Sequence, residues 1–268
     1  MRTNFHTHVN RCRHASGTAE DYINCAIQSG LEQLGFSDHA PFPEDCFGLR
    51  MPYKELNEYL NELDELKIRY KGKICLWKGL EIEYLPEFYH YYEKLLVEYK
   101  VEYLLLGEHY YKTSRNETKN IYETDFTELY VDYAKTVAQG IRTELFQAVA
   151  HPDIFMINPW NWDENCEKAT DIILDAAVNY NIPLEYNANG IRRGIWEFPN
   201  GKRYPYPYET FWKKAASAGV RVIVGSDCHE PSQVWDESVE RSYQNLKKLG
   251  TVRELELLTE KFGREVKV

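Results

Sequence analysis

Short apolar runs recur along this chain, separated by longer stretches in which hydrophobic and charged positions repeat with a helical period. The runs fall at 3–8, 33–39, 73–84, 101–109, 146–151, 182–187 and 220–227 and read as strands. Between them, 18–30, 52–72, 87–99, 125–140, 164–180, 207–219 and 236–249 read as amphipathic helices, and a further helical pattern covers 252–263. Local signals agree with the periodicity. Thr18-x-x-Asp21 is a capping signature, Gly30 a stop, and the second helix runs from Pro52 to Gly72. Seven strands, each followed by a helix, predict a parallel sheet with helices packed outside it. Two closures satisfy this pattern, a doubly wound open sheet and a barrel. No G-x-G-x-x-G follows a strand, so a nucleotide-binding open sheet has no positive support. No Pro/Gly/Ser-rich linker or repeat interrupts the alternation, which predicts one domain over 1–268.

Composition adds limits. The 268 residues are 43% hydrophobic and 28% charged, enough for a full core. A formal net charge of −10 argues against nucleic acid or an anionic membrane as the primary partner, but a local cation cluster still permits a small anionic substrate. No run approaches the roughly 18 apolar residues of a spanning helix. The opening MRTNFHTHVNRCRH lacks the apolar stretch of a signal peptide, and the six cysteines are scattered without a C-x-x-C pair. Both features predict a cytoplasmic chain with reduced thiols.

The histidines carry the chemistry. His6 and His8 end the first strand, His39 the second, His109 the fourth and His151 the fifth, while Asp227 and His229 follow the seventh. Glu81 lies near the end of the third, and His14 follows the first strand in the loop NRCRH. In a parallel barrel all strand C-termini share one face, so residues distant in sequence converge there. Of the eight histidines, only His90, inside a helix, falls outside the pattern. Strand alternation turns His6 and His8 to one side and groups Asp227 with His229. Imidazole and carboxylate suit Zn²⁺, Mn²⁺ or Fe²⁺, so His6, His8, His14, His39, Glu81, His109, His151, Asp227 and His229 form a nitrogen–oxygen ligand set. So many ligands imply two to three divalent metal ions (Mn, Fe or Zn) sharing a bridging carboxylate. Glu83 competes with Glu81 for that role and is the less favoured. Cys12 and Cys228 lie nearby and are expected to stay uncoordinated.

At this point the chain resembles a known family. HTH (6–8), CRH (12–14), SDHAPFP (37–43), GLEIEY (79–84), EH (108–109), AHPD (150–153), NANGIRR (187–193) and GSDCH (225–229) look like successive motifs of the PHP (polymerase and histidinol phosphatase) superfamily. DHAPFP together with Asn-x-x-Gly-x-Arg is most similar to its monofunctional histidinol-phosphate phosphatases. The resemblance implies a distorted seven-stranded (β/α)7 TIM-like barrel and a trinuclear site. Carried over by motif, His6, His8, Glu81 and Asp227 hold one ion; Glu81, bridging, with His109 and His151 a second; His14, His39 and His229 the third. Asn189 departs from the pattern, standing where Ser is expected, and Arg11 and Arg13 are more basic than the family's residues before His14.

Such a site suits metal-assisted hydrolysis of a phosphomonoester, with Glu81 and Asp227 central to it and L-histidinol phosphate the substrate that the resemblance implies. Another phosphorylated metabolite or a nucleotide end is the alternative substrate; a non-catalytic PHP-like module is disfavoured because all nine ligand positions are filled. A phosphate dianion calls for a fixed cation. Arg192 is the expected clamp, because a guanidinium offers a bidentate fork, with Arg193 as the fallback. Arg11, Arg13 and Arg50 are weaker candidates, expected at the surface. Tyr110, Tyr111, Trp160, Trp162 and Trp196 are candidates for an aromatic wall.

Overall fold

A computed structural model describes residues 2–250 of the chain, so the helical pattern predicted over 252–263 lies outside the described residues. Seven parallel strands form one sheet in chain order: β1 (Thr3–Asn4), β2 (Gln33–Phe36), β3 (Cys75–Ile82), β4 (Tyr103–Leu106), β5 (Ala148–Val149), β6 (Leu184–Asn187) and β7 (Val222–Gly225). A parallel bridge between Thr7 and Cys228 brings its ends together, making a nearly closed seven-stranded TIM-like barrel. The His8 amide donates to the Cys228 carbonyl at 3.1 Å across that seam. Asn4 reinforces it, its Oδ1 accepting from the Ser226 amide at 3.0 Å. This is the seven-stranded TIM-like barrel that the resemblance implies.

Among the described residues eight α-helices surround the sheet: α1 (Ala19–Gln28), α2 (Leu56–Arg69), α3 (Tyr89–Val97), α4 (Glu128–Arg142), α5 (Glu164–Asn179), the short α6 (Ala188–Arg192), α7 (Glu209–Ala218) and α8 (Glu237–Leu249). Their starts follow from side-chain caps. The Thr18–Asp21 capping box is present in both directions, and Asp163 and Asp236 each accept two backbone amides at the starts of α5 and α8. Three features escape the period-based reading: α6 and two hairpins, Tyr110–Lys112 with Thr118–Asn120 and Trp196–Phe198 with Gly201–Arg203.

Alternation along the strands divides the core in two. Leu80, Ile82, Leu104, Leu106, Leu184 and Val222 face the helices, while Phe5, Tyr103, Leu105, Ala148 and Ala150 fill the barrel itself. Tyr103 plugs the interior, its hydroxyl donating to the Phe5 carbonyl at 2.9 Å. A Cβ at Gly79 would sit 2.2 Å from that ring, so only glycine leaves room for the plug. Glu81, two residues on, therefore faces the same interior one layer higher. A dry floor below and a polar mouth above place the candidate site.

Candidate metal centre

The nine residues expected as ligands all reach the C-terminal mouth of the barrel. His6 and His8 leave β1, His39 leaves β2, Glu81 projects from β3, and His109 follows β4. His151 follows β5, and Asp227 and His229 follow β7. His14 arrives on the loop after Asn10–Cys12, where Arg13 takes a left-handed turn. His90 is exposed on α3, paired with Glu93.

Two sides can be distinguished. The inner side is buried: His6, His8, His151, Glu81 and Asp227 are all nearly sequestered from solvent. Glu81 is its hub, with Oε1 2.8 Å from His151 Nε2 and 3.7 Å from His109 Nε2. Its Oε2 lies 3.0 Å from His39 Nδ1, 3.4 Å from His6 Nε2 and 3.5 Å from His8 Nε2. The outer side, His14, His39 and His229, is partly exposed. His14 Nε2 and His229 Nε2 face each other at 2.9 Å.

Several histidines have their remote nitrogen fixed, which sets what the near nitrogen can do. His6 Nδ1 pairs with Glu185 at 2.8 Å, His8 Nδ1 with Asp38 at 3.4 Å, and His109 Nδ1 with Glu83 at 3.2 Å. On the outer side the acceptors are carbonyls: Cys12 O for His14 at 2.9 Å and Asp227 O for His229 at 3.2 Å. With Nδ1–H donating, the facing Nε2 atoms of His14 and His229 present lone pairs to each other. His6 Nε2 and His8 Nε2, 3.0 Å apart, accommodate at most one proton between them, or a cation in its place. Glu81 Oε2 is fully buried, and none of the three imidazoles around it is oriented to make a hydrogen bond to it. Donor atoms of His6, His8 and Glu81, of His39, Glu81 and His109, of His6, His151 and Asp227, and of His14, His39 and His229 each lie within 4.8 Å of one another. The donor set fits hard-to-borderline divalent ions.

Electrostatics separate the sides. Burial pushes Glu81 up, but His6, His109 and His39 outweigh it and hold its carboxyl well below the usual range. Burial opposes charging His8, yet Asp227, Asp38 and Glu81 raise its pKa to about 9. On the outer side burial and the nearby His8 charge lower His229 to about 3. Burial also lowers His14. The inner side demands positive charge, whereas the outer side offers neutral imidazoles.

The arginines are arranged differently from expectation. Arg192, expected as the phosphate clamp, is engaged beside the end of β7, where its Nη1 reaches the Asp227 carbonyl at 3.5 Å. Its Nε and Nη2 hold Asp236 at 2.7 and 3.2 Å, and Nη1 donates to the Ser226 carbonyl at 3.0 Å. Asp236 is the cap of α8, so Arg192 braces β7 to that helix. Arg193, one residue on and about 100° around the turn, is exposed and donates through Nε to the Tyr206 hydroxyl at 3.2 Å. Tyr206, then Tyr122 and Asp227, raise its pKa further, which places it beside the cluster. Arg50, expected at the surface, is instead buried and paired to both oxygens of Glu83 at 3.0 and 3.1 Å. Arg11 is held by Glu58 and Glu62.

Sequence reasoning missed Glu185, Asp38 and Asn187 behind the cluster; a lone acid within the apolar run IPLEYN was the available signal for the first. It also missed Tyr122, whose ring lies parallel to His109 at 6.2 Å, and Tyr206, edge-on to His151 at 6.4 Å. Of the expected aromatic wall, Tyr111 is buried in the core and Trp162 stacks on Tyr208. Cys12 Sγ lies within 4.8 Å of donors on His8 and His229, its thiol pushed up by burial and by Asp38. Asn189 spends its amide on Asp227 Oδ2 at 3.1 Å.

The PHP domain profile matches residues 4–189. This chain is a member of the PHP family. The PHP protein is 28% identical over 236 residues to a probable histidinol-phosphatase of Deinococcus radiodurans, covering 85% of this chain and 86% of that one. It is 24% identical over 258 residues to the histidinol-phosphatase of Bacillus subtilis, covering 85% and 94%. Among solved structures it resembles the histidinol phosphate phosphatase of Lactococcus lactis, crystallised with zinc, L-histidinol and phosphate, at a TM-score of 0.72 and 18% identity, covering 94% of each chain. A Listeria monocytogenes relative gives the same TM-score of 0.72 at 17% identity, covering 88% of this chain and 98% of that one. These structural likenesses extend the barrel fold over most of the PHP protein. Among the described residues no helix is long and apolar enough to cross a membrane.

Proposed function

We propose that this PHP protein is a metal-dependent phosphatase that hydrolyses L-histidinol phosphate to L-histidinol and phosphate, a step of histidine biosynthesis in the cytoplasm, with one barrel domain carrying the reaction. The observation that carries the reading is the convergence of four overlapping donor groups on Glu81 and its neighbours at the barrel mouth. The names of its relatives and the ligands of the Lactococcus structure support the substrate. Two to three ions, of Zn, Mn or Fe, fit the donors. We assign His6, His8, Glu81 and Asp227 to one, Glu81, His109 and His151 to a second, and His14, His39 and His229 to a third. Divalent ions held by these residues would supply an activated water and charge neutralisation at the phosphoryl group. The chain's own part is to bind and orient. Glu81 and Asp227 hold the inner imidazoles in place, and Arg193, exposed beside Tyr206 and Tyr122, supplies the guanidinium that grips the phosphate dianion.

The test is protein loaded with Zn, Mn or Fe and assayed against a panel of phosphomonoesters that includes L-histidinol phosphate. More than one ion per chain and a kcat/KM highest for L-histidinol phosphate are expected. A different preferred ester corrects the substrate, and a loaded chain that cleaves none of the panel overturns the enzymatic reading. Within that assay Arg193→Ala is expected to lower kcat/KM by roughly 30- to 1000-fold with ion content unchanged. Arg192→Ala instead lowers stability, because it leaves Asp236 without its partner. The reverse pattern returns the clamp to Arg192.

A further inference from the structure

Behind the inner side a single buried acid underlies several of the ligands at once. Glu185 projects from β6 into the barrel and is 1% exposed. Its Oε1 pairs with His6 Nδ1 at 2.8 Å. Its Oε2 accepts the His151 backbone amide at 3.1 Å and the Asn187 side-chain amide at 2.8 Å. Asn187 passes the contact on, its Nδ2 also lying 3.2 Å from Asp227 Oδ2. One carboxylate is thus joined to three residues of a single donor group, His6, His151 and Asp227.

Two of those three have unusual backbones. His151 has φ +30° and Asp227 has φ +47°, in the left-handed region that non-glycine residues rarely adopt. The bond from Glu185 lands on the His151 backbone amide and holds that turn in place, while the bond from Asn187 fixes the Asp227 side chain. The space is reserved as well: a Cβ at Gly225 would lie 1.6 Å from Glu185 Oε1. Across the mouth, His14 leans on the Cys12 carbonyl, and His229 meets the network at Asp227, whose carbonyl lies at 3.2 Å and Oδ1 at 3.6 Å; neither ring bonds to Glu185 or Asn187.

We propose that Glu185 is a positioning residue that presets His6, His151 and Asp227 for a cation, so that the inner side retains its ion through Glu185 while the outer side does not depend on it. The proposal rests on the metal-dependent reading above. Gln is the informative replacement. Its carbonyl can accept from His6, or its position can serve His151 and Asn187, but an amide nitrogen cannot accept on either side.

The experiment loads full-length protein with Zn²⁺ and follows retention by elemental analysis and competition with a chromophoric chelator. Glu185→Gln is expected to hold its inner ion 10- to 100-fold more weakly than wild type, the range seen when such outer partners of a ligand are lost. The remaining zinc should stay bound with wild-type affinity. Asn187→Ala, which frees Asp227 but leaves the His6 contact, should show a smaller loss on the same side. Circular dichroism of the zinc-free proteins checks that both variants fold, and Asn187→Ala decides the matter if Glu185→Gln does not. Wild-type retention in the folded variants overturns the proposal, as does an even loss of every ion. Failure of the wild type to bind zinc at all would instead sink the metal-dependent reading, and zinc binding without phosphatase activity would leave this proposal standing while the substrate reading falls.

Discussion

The inner and outer sides of the metal centre are built largely from the same side chain, yet their surroundings give imidazole opposite characters. Inside, His6 and His8 are buried against Glu81, Asp227, Glu185 and Asp38, and His8 titrates at about 9. Outside, His14 and His229 rest on carbonyl oxygens, and His229 titrates at about 3. The difference lies in the charges around each ring. Asp227, Asp38 and Glu81 surround His8 and overcome its burial, whereas burial and the neighbouring His8 charge hold His229 neutral. A site assembled this way has one side that pays for burial with anions and another that keeps its imidazoles neutral and open to the mouth.

The hub between the sides is where the contrast is most easily broken. Glu81→Gln should deplete ions from both sides and cut turnover by at least about 1000-fold, read by elemental analysis and kcat. Glu83→Gln should stay within roughly tenfold of wild type, because Glu83 reaches the cluster only through His109. A larger effect at Glu83 would mean that the two carboxylates exchange roles.

Arg50 tests the anionic backing from behind. Arg50→Met leaves Glu83 buried without its ion-pair partner and should cost about 3–5 kcal/mol in denaturant unfolding. Burial pushes Glu83 up, but Arg50 and His109 bring it from 4.5 down to about 2. A depressed carboxyl stabilises the fold fully above its unfolded value and loses that contribution as pH falls through its folded value. The gap between wild type and Arg50→Met should therefore narrow as pH drops from 4.5 toward 2. A constant gap would point to packing rather than charge.

The smallest expected effect is the most specific. At pH 7 an ion entering the inner side must displace the proton held by His8, whereas the outer side has none to release. Calorimetric titration of metal-free protein in two buffers of different ionisation enthalpy should report a higher proton count for the inner ion than for the outer, because His6, His8 and His151 are all shifted upward. His14→Ala should lose outer binding and leave that proton count unchanged. Equal release from both sides would erase the distinction.

Much of this centre was legible in the sequence because position along a parallel strand determines the end at which a residue emerges. Glu81 and His109 need no partner identified to be placed at the mouth. The strands and major helices through 249 were legible for the same reason, as each carries its own periodicity. Partner choice was not legible. Arg192 and Arg193 are equivalent as letters; Asp236, 44 residues from Arg192, decides between them. Arg50 looked like a surface charge because its match, Glu83, sits 33 residues away. The hairpins and α6 are too short for a period to register.

The seam between β1 and β7 has a consequence for how the protein is made. His6 and Cys228 meet across it, 222 residues apart in the chain. The first strand leaves the ribosome with two ligands, and the last brings the final two only after every intervening strand has been synthesised. Closing so long a loop is the contact whose entropy is repaid latest. Until then both ends of the sheet are bare edges, open to pairing with other chains. An ion that needs ligands from both ends recognises only the finished ring and, by binding it, favours it over every open form.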